Sequence, residues 1–255
     1  MILAILQARF SSTRLPGKVL KPILGEPMLI RQVERLRHAR RVDQLLVATS
    51  TDPSDDALVA VCEQYDIPCF RGNLNDVLDR FYQAAMPYKP DHVVRLTGDC
   101  PLTDPTIIDA VISLHLSGNF DYSSSAIDLS FPDGLDAEIM RFACLEEVWR
   151  EAELPSEREH VTLFIYRRPA RYRIGSYKGY RDLSHCRWTV DEPEDFEFVT
   201  RIYERLYSEN TVFGMGDILA LLESEPTLAM INKGFERNEG LKKSLQEDMR
   251  FVAAR

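Results

Sequence analysis

The chain has 255 residues, with 31 Lys and Arg against 40 Asp and Glu, a formal net charge of −9, 45% apolar residues and 28% charged ones. That balance excludes collagen-like, disordered and small disulfide-scaffold chains, and a chain of this length buries about 70–75% of its unfolded surface without disulfides or structural metal. The acidic excess repels nucleic acid and anionic lipid at long range, so anion binding has to come from local clusters of cations.

Ile2–Leu6 is a short continuous apolar run and reads as a buried first strand. Leu29, Val33 and Leu36 recur at helical spacing over Pro27–Arg41, with a charged outer face. The basic run Arg35, Arg37, His38, Arg40 and Arg41 is expected to be that helix's solvated end, where cations complement the dipole, and not a nucleic-acid patch. Leu45–Thr49 reads as a second strand, followed by turn and cap chemistry at Asp52-Pro53-Ser54-Asp55 and a helix carrying Leu58, Val61, Cys62 and Tyr65. Ile67–Phe70 is a third strand, Asp76–Met86 a third helix, His92–Leu96 a fourth strand and Pro105–Leu116 a fourth helix. Such strand-then-helix units imply a mostly parallel, Rossmann-like sheet flanked by helices on both faces. The loops 7–18, 50–55, 71–76 and 97–103 should then share the rim beyond the strands' carboxyl ends, where ligands bind in such sheets.

Past residue 120 the pattern is mixed. Ser123-Ser124-Ser125 and Phe131-Pro132-Asp133-Gly134 read as loops, Leu135–Met140 and Arg171–Tyr177 as strands, and Ala143–Glu153 and Ser156–Tyr166 as helices. Arg187–Val190 reads as a closing strand before a helix over Pro193–Tyr207, and the tail from Asn232 to Arg255 as a last helix with a frayed end. No repeat, low-complexity tract or linker interrupts the chain, so one domain over 1–255 is expected. The five cysteines at 62, 69, 100, 144 and 186 form no C-x-x-C pair and fit reduced thiols in a cytoplasm. Met1–Leu6 is too short for a signal-peptide core, and no apolar run approaches the roughly 20 residues of a membrane span.

Three stretches carry chemistry. Gln7-Ala8-Arg9-Phe10-Ser11-Ser12-Thr13-Arg14-Leu15-Pro16-Gly17-Lys18 joins three cations to three hydroxyls directly after the first strand. Backbone N–H groups, hydroxyls, forked guanidinium donors and a compact ammonium suit a polyphosphate; the competing reading is a solvated basic loop. No Walker A motif is present, and Gly214-Met215-Gly216 lies too late and lacks the third glycine of a dinucleotide fingerprint. In Arg95-Leu96-Thr97-Gly98-Asp99-Cys100-Pro101-Leu102, Gly98 would let the chain turn sharply and deliver Asp99 to the rim as a Mg2+ ligand, unless Asp99 caps the turn or the helix at Pro105. In Trp188-Thr189-Val190-Asp191-Glu192-Pro193, Asp191 is either a second metal ligand or, taken singly, an N-cap ahead of Pro193.

Together these elements resemble the sugar cytidylyltransferases, the family of the acylneuraminate and 3-deoxy-manno-octulosonate enzymes, and above all its spore coat polysaccharide biosynthesis branch. Arg71-Gly72-Asn73 with Asp76-Val77-Leu78-Asp79-Arg80, Pro132-Asp133-Gly134-Leu135-Asp136-Ala137-Glu138, and Glu157-Arg158-Glu159-His160-Val161-Thr162 match its pattern in order. The Gln7–Lys18 loop is the most specific of these matches, which run from residue 2 to about residue 200.

The resemblance implies a nucleotide-diphospho-sugar transferase type of fold with a mixed insertion in the second half. Residues 1–118 would be the nucleotide-binding half, 120–175 a sugar-binding and dimerisation segment, and 176–255 the closing strand and C-terminal helices. It implies CMP transfer from CTP to the anomeric hydroxyl of an acidic sugar, with release of pyrophosphate. Arg9, Arg14 and Lys18 would bind the triphosphate, the last two on the pyrophosphate side, with Ser11, Ser12 and Gly98 in the nucleotide site. Backbone around Leu6–Ala8, with Arg71, would approach cytosine and ribose. Asp99 and Asp191 would hold Mg2+, and Asp136, Glu138, Glu159 and His160 would face the sugar. Relatives are commonly homodimers. Where the octulosonate enzymes read G-D-E-P, this chain has Gly98-Asp99-Cys100-Pro101, so sugar recognition does not transfer from them.

His160 is a general-base candidate, although a metal can activate the hydroxyl unaided. His185, beside Ser184 and Cys186, has no spacing that supports a nucleophilic triad, and Cys100 has no basic neighbour in sequence to activate it. The competing functions are a nucleotidyltransferase using another NTP and a sugar 1-phosphate, a glycosyltransferase of the same fold, disfavoured by the lack of a D-x-D motif, and a nucleotide-binding scaffold.

Overall fold

The computed structural model describes residues 1–235, 237 and 239–253. Among these the strands are β1 (Ile2–Gln7), β2 (Pro22–Ile23), β3 (Glu26–Pro27), β4 (Gln44–Ser50), β5 (Cys69–Gly72), β6 (His92–Thr97), β7 (Tyr122–Ser124), β8 (Glu138–Arg141) and β9 (Ile174–Ser176). The α-helices are α1 (Met28–Leu36), α2 (Asp56–Gln64), α3 (Val77–Ala85), α4 (Pro105–Gly118), α5 (Phe142–Glu151), α6 (Pro155–Glu159), α7 (Leu163–Tyr166), α8 (Pro193–Leu206), α9 (Met215–Ser224) and α10 (Glu239–Ala253).

Seven strands form one sheet in the order β5-β4-β1-β6-β8-β7-β9. The first four run parallel, β8 is antiparallel to its neighbours β6 and β7, and β9 is parallel to β7. The fold is thus the expected α/β one with a mixed second half. Its continuous apolar strands follow from burial on both faces. Leu3 and Ile5 of β1 pack with Leu78 and Phe81 of α3 and Leu145 of α5, while Ala4 and Leu6 pack with Leu29 and Val33 of α1 and Val199 of α8.

From β1 the chain steps outward through β4 to β5 and then returns to the opposite side of β1 as β6. The loops leaving β1 and β6 therefore diverge at a topological switch point, which opens a crevice at the strands' carboxyl ends. Hydrogen bonds tie the expected rim together: Ala8 N donates to Ala48 O (3.1 Å), Gly98 N to Gln7 O (2.7 Å) and Arg71 Nε to Ser50 O (2.9 Å).

Several local expectations are corrected. Helix α1 ends at Leu36, and Arg35 is no solvated cation: it is 2% exposed and donates to Thr103 O (2.7 Å) and Phe213 O (2.6 Å). Arg37, His38, Arg40 and Arg41 of the same run are exposed. The third strand starts at Cys69, two residues later than expected. The serines at 123 and 124 lie in β7, buried and partnered by His115 Nδ1 and Ala126 N. The helix expected over Ser156–Tyr166 breaks into α6 and α7 at His160-Val161, where Val161 has φ 47°. Residues 187–190 form no strand, only a single bridge between Asp133 and Arg187. Helix α9 and the β2–β3 hairpin carried no clear sequence signal; the helix expected in the tail from Asn232 to Arg255 is α10, and residues 254–255 of that tail lie outside the described residues.

Candidate active site

The loop after β1 is built on a buried carboxylate. Asp55, fully buried, accepts from Phe10 N (2.7 Å) and Ser50 N (3.0 Å), and from the Ser50 hydroxyl. Gly17 closes the loop by donating to Phe10 O (2.9 Å) at φ 70°, a left-handed conformation that favours glycine. The turn drives Lys18 inward, whereas Arg9, Ser11 and Arg14 stay exposed and Ser12 half-buried. Lys18 Nζ donates to Val190 O (2.6 Å) and Asp191 Oδ1 (2.8 Å) and lies 3.9 Å from Asp99 Oδ2. Arg14 reaches the same corner, with Nη2 2.9 Å from Asp191 Oδ2 and Nη1 3.2 Å from Glu192 Oε1.

Asp99 arrives by a close backbone approach, not by a left-handed turn. A Cβ on Gly98 would stand 2.9 Å from Ala8 Cβ and 3.1 Å from Gln7 O, so a side chain there would push β6 away from β1. Asp99 does not cap α4; Asp104 does, accepting from Thr106 N (2.8 Å). The Asp99 carbonyl instead accepts from Val190 N (2.7 Å), stitching this loop to the Asp191 segment.

The capping alternative for Asp191 also fails. The N-cap of α8 is Glu192, with Asp195 as its capping-box partner, accepting from Asp191 N and Glu192 N (both 3.0 Å) and from Arg187 Nη2 (2.8 Å). The Asp191 carboxylate is left to Lys18, Arg14 and Arg187. Burial works against its charge, but these three cations outweigh burial and hold its pKa below the ordinary carboxylate value.

A cavity of about 680 Å³ opens beside this corner, lined by Arg14, Asp99, Asp136, Glu138, His160 and Asp191 of the predicted residues. Arg71 and Glu159 are not on its wall, nor are Leu6, Ala8, Arg9, Ser11, Ser12, Lys18 and Gly98. Arg71 braces the rim, with Nη2 on Asp52 O (3.0 Å) and an ion pair to Asp56 (2.7 Å). Glu138 pairs with Arg95 (2.9 Å) and Asp136 with Arg237 (2.6 Å). Burial pushes Asp133 up to about 6, with Arg237 opposing, and raises Asp136 as well.

Sequence reasoning missed Asp55, Arg95, Asp133, Arg187 and Arg237. Arg95 and Asp133 lay within stretches already singled out and Arg187 one residue before another, so that proximity to Asp99, Asp136 and Asp191 was the available signal.

His160 Nε2 lies 3.0 Å from Ser244 Oγ, and burial, reinforced by Arg95, pushes His160 down to about 4. A base that weak is poorly matched to neutral pH, where general bases contribute about 10²–10⁴-fold. His160→Gln is therefore expected to keep kcat within about tenfold at pH 7, with no inflection lost between pH 5 and 8. A loss of about a hundredfold or more would restore His160 as the base.

Comparison with known proteins identifies the family. A family model described as cytidylyltransferase matches residues 3–218. Spore coat polysaccharide biosynthesis protein SpsF of Bacillus subtilis is 35% identical over 235 residues, covering 89% of this chain and 96% of that protein. A solved cytidylyltransferase from Leptospira borgpetersenii is 30% identical, with a TM-score of 0.86 over 92% of this chain and 99% of that one. The structure of CMP:2-keto-3-deoxy-manno-octonic acid synthetase complexed with CTP has a TM-score of 0.62 over 80% of this chain and 98% of that one; at 17% identity it speaks for the fold alone.

Proposed function

The chain belongs to the cytidylyltransferase family, and from that premise we propose that it transfers CMP from CTP to the anomeric hydroxyl of an acidic, ulosonic-type sugar, releasing pyrophosphate, for surface polysaccharide biosynthesis. One observation carries the reading. Asp99 and Asp191 are drawn to one ammonium, at 3.9 and 2.8 Å, beside Arg14 and on the wall of a cavity that also holds Asp136 and Glu138.

The barrier to this reaction is electrostatic: an oxygen nucleophile approaches a polyanion, and charge grows on the leaving pyrophosphate. Arg14 neutralises that charge through a forked, exposed guanidinium, and Lys18 through a point charge anchored on Val190 O. Asp99 and Asp191 fit Mg2+ as hard oxygen donors from two loops stitched by the 2.7 Å bond between Val190 N and Asp99 O. Among the described residues no group of three or more His, Cys, Asp or Glu converges as a metal cage, and Mg2+ asks only for one or two carboxylates besides phosphate oxygens and water. Bound there, Mg2+ supplies Lewis-acid neutralisation of the phosphate and acidifies the hydroxyl.

The same reading carries a cytoplasmic homodimer joined through residues 120–175. The five cysteines are free, no described helix is long and apolar enough to cross a membrane, and Ile127 and Leu129 stand exposed beside the cavity, where a second subunit would cover them.

The test is pyrophosphate release with each NTP, Mg2+, and a panel of acidic sugars and sugar 1-phosphates. Release only with CTP and an acidic sugar is the expected result. Turnover of UTP, GTP or ATP with a sugar 1-phosphate would replace this reading, and nucleotide binding without release would make the chain a scaffold.

A further inference from the structure

The family match ends at residue 218, yet the chain continues across the cavity. Asn232 Nδ2 donates to Arg187 O and Asp195 Oδ1 (both 2.9 Å), Ser244 meets His160, and Asp248 accepts from Ser156 N (2.9 Å). Asn232 thus ties down one end of a C-terminal strap and α10, packed on α6, the other, and Arg237 stands on the cavity wall between them.

Three buried polar atoms on residues lining this cavity have no hydrogen-bond partner among the described residues: Arg95 Nε, Glu138 Oε2 and Arg237 Nη1. Leaving a buried donor or acceptor unpaired is costly, so these atoms mark where a ligand's own polar groups would be accepted. Two guanidinium donors and one carboxylate acceptor suit a polyhydroxylated acid. Arg95 is already ion-paired to Glu138 deep in the cavity. Arg237 is held from one edge only: Nη2 bonds both oxygens of Asp136 (2.6 and 2.8 Å), Nε is 3.5 Å from Asp133 Oδ1, and Nη1 is left over. Asp136 and Asp133 orient the guanidinium, and a carboxylate arriving at Nη1 would gain a charge-assisted bond.

We infer that Arg237, brought to the cavity by the C-terminal strap, is the specificity-determining residue that binds the sugar's carboxylate, an assignment that rests on the acidic-sugar reading above. Without Arg237, Asp136 would face the incoming acid without its ion-pair partner and Asp133 would keep only Arg187 at 3.5 Å, so the residue selects by attraction when present and leaves a less welcoming wall when absent.

The experiment compares the acidic sugar that wild-type enzyme turns over fastest with its carboxamide, in wild type, Arg237→Met and Arg237→Lys, measuring both KM values, kcat and Tm. Wild type is expected to prefer the acid. Arg237→Met should raise the sugar KM by about tenfold to a hundredfold, abolish the preference and leave the CTP KM unchanged, and Arg237→Lys should restore part of the preference. If Arg237→Met keeps the preference, or shifts both KM values together with Tm, Arg237 is a clasp for the strap and the inference fails while the acidic-sugar reading stands. A wild-type enzyme that takes the carboxamide equally well overturns the inference alone, and one that turns over no acidic sugar overturns both.

Discussion

Asp99→Asn and Asp191→Asn are each expected to lower turnover by at least about 10²–10³, the loss of about 2.7–4 kcal/mol typical of removing one preorganised electrostatic contact. The fold should survive both changes. Neither carboxylate holds a helix end, since Asp104 caps α4 and Asp195 serves α8, and the two loops are joined through backbone atoms that the substitutions leave alone. An amide is nearly isosteric with a carboxylate but offers one neutral oxygen in place of an anion. The loss should therefore fall on kcat and on the Mg2+ dependence, with circular dichroism close to wild type in both and a modest drop in Tm for Asp191→Asn, which loses its ion pair with the buried Lys18. Near-normal turnover in either variant would sink the metal assignment for that residue.

How far the sequence reached is clearest in particular residues. The parallel half was legible because Leu3–Leu6 is buried on both faces, which writes a strand as an unbroken apolar run. The serines of β7 hid their strand because their hydroxyls are satisfied by His115 and by a local backbone N–H, contacts that composition does not announce. Arg35 looked like a solvated helix end because its acceptors, Thr103 O and Phe213 O, lie 68 and 178 residues away along the chain. Asp191 taken singly reads as a cap, since Asp two residues before Pro is a common cap pattern, yet Glu192 takes the duty with Asp195 as its capping-box partner. The motif loops thus disclosed the corner where Arg14, Lys18, Asp99 and Asp191 meet. The arginines that face the cavity's carboxylates, Arg95, Arg187 and Arg237, depend on pairings that only the folded chain brings together.

Lys18→Met is expected to cost about as much as either aspartate change, roughly 10²–10³ in kcat, and to leave a second signature in the pH profile. Lys18 is 8% exposed, and its ammonium holds Val190 O and Asp191 Oδ1 at 2.6 and 2.8 Å with Asp99 at 3.9 Å. Methionine keeps most of the volume and removes the charge. Breaking a fully buried pair costs about 3–5 kcal/mol of stability, but the loss here should be smaller because Asp191 is 22% exposed and retains Arg14 at 2.9 Å and Arg187 at 3.4 Å. The remaining balance at Asp191 shifts toward burial, which favours the protonated acid, while the loss of Lys18 removes the strongest influence that kept its pKa low. A carboxylate that must be ionised for turnover then protonates at higher pH, so the acid limb of the pH–rate profile moves upward in Lys18→Met. A pH–rate series on the purified variant reads both effects at once. Lowered kcat with the acid limb unmoved would assign Lys18 to the phosphates alone, and full activity with an unmoved limb would remove it from the machinery.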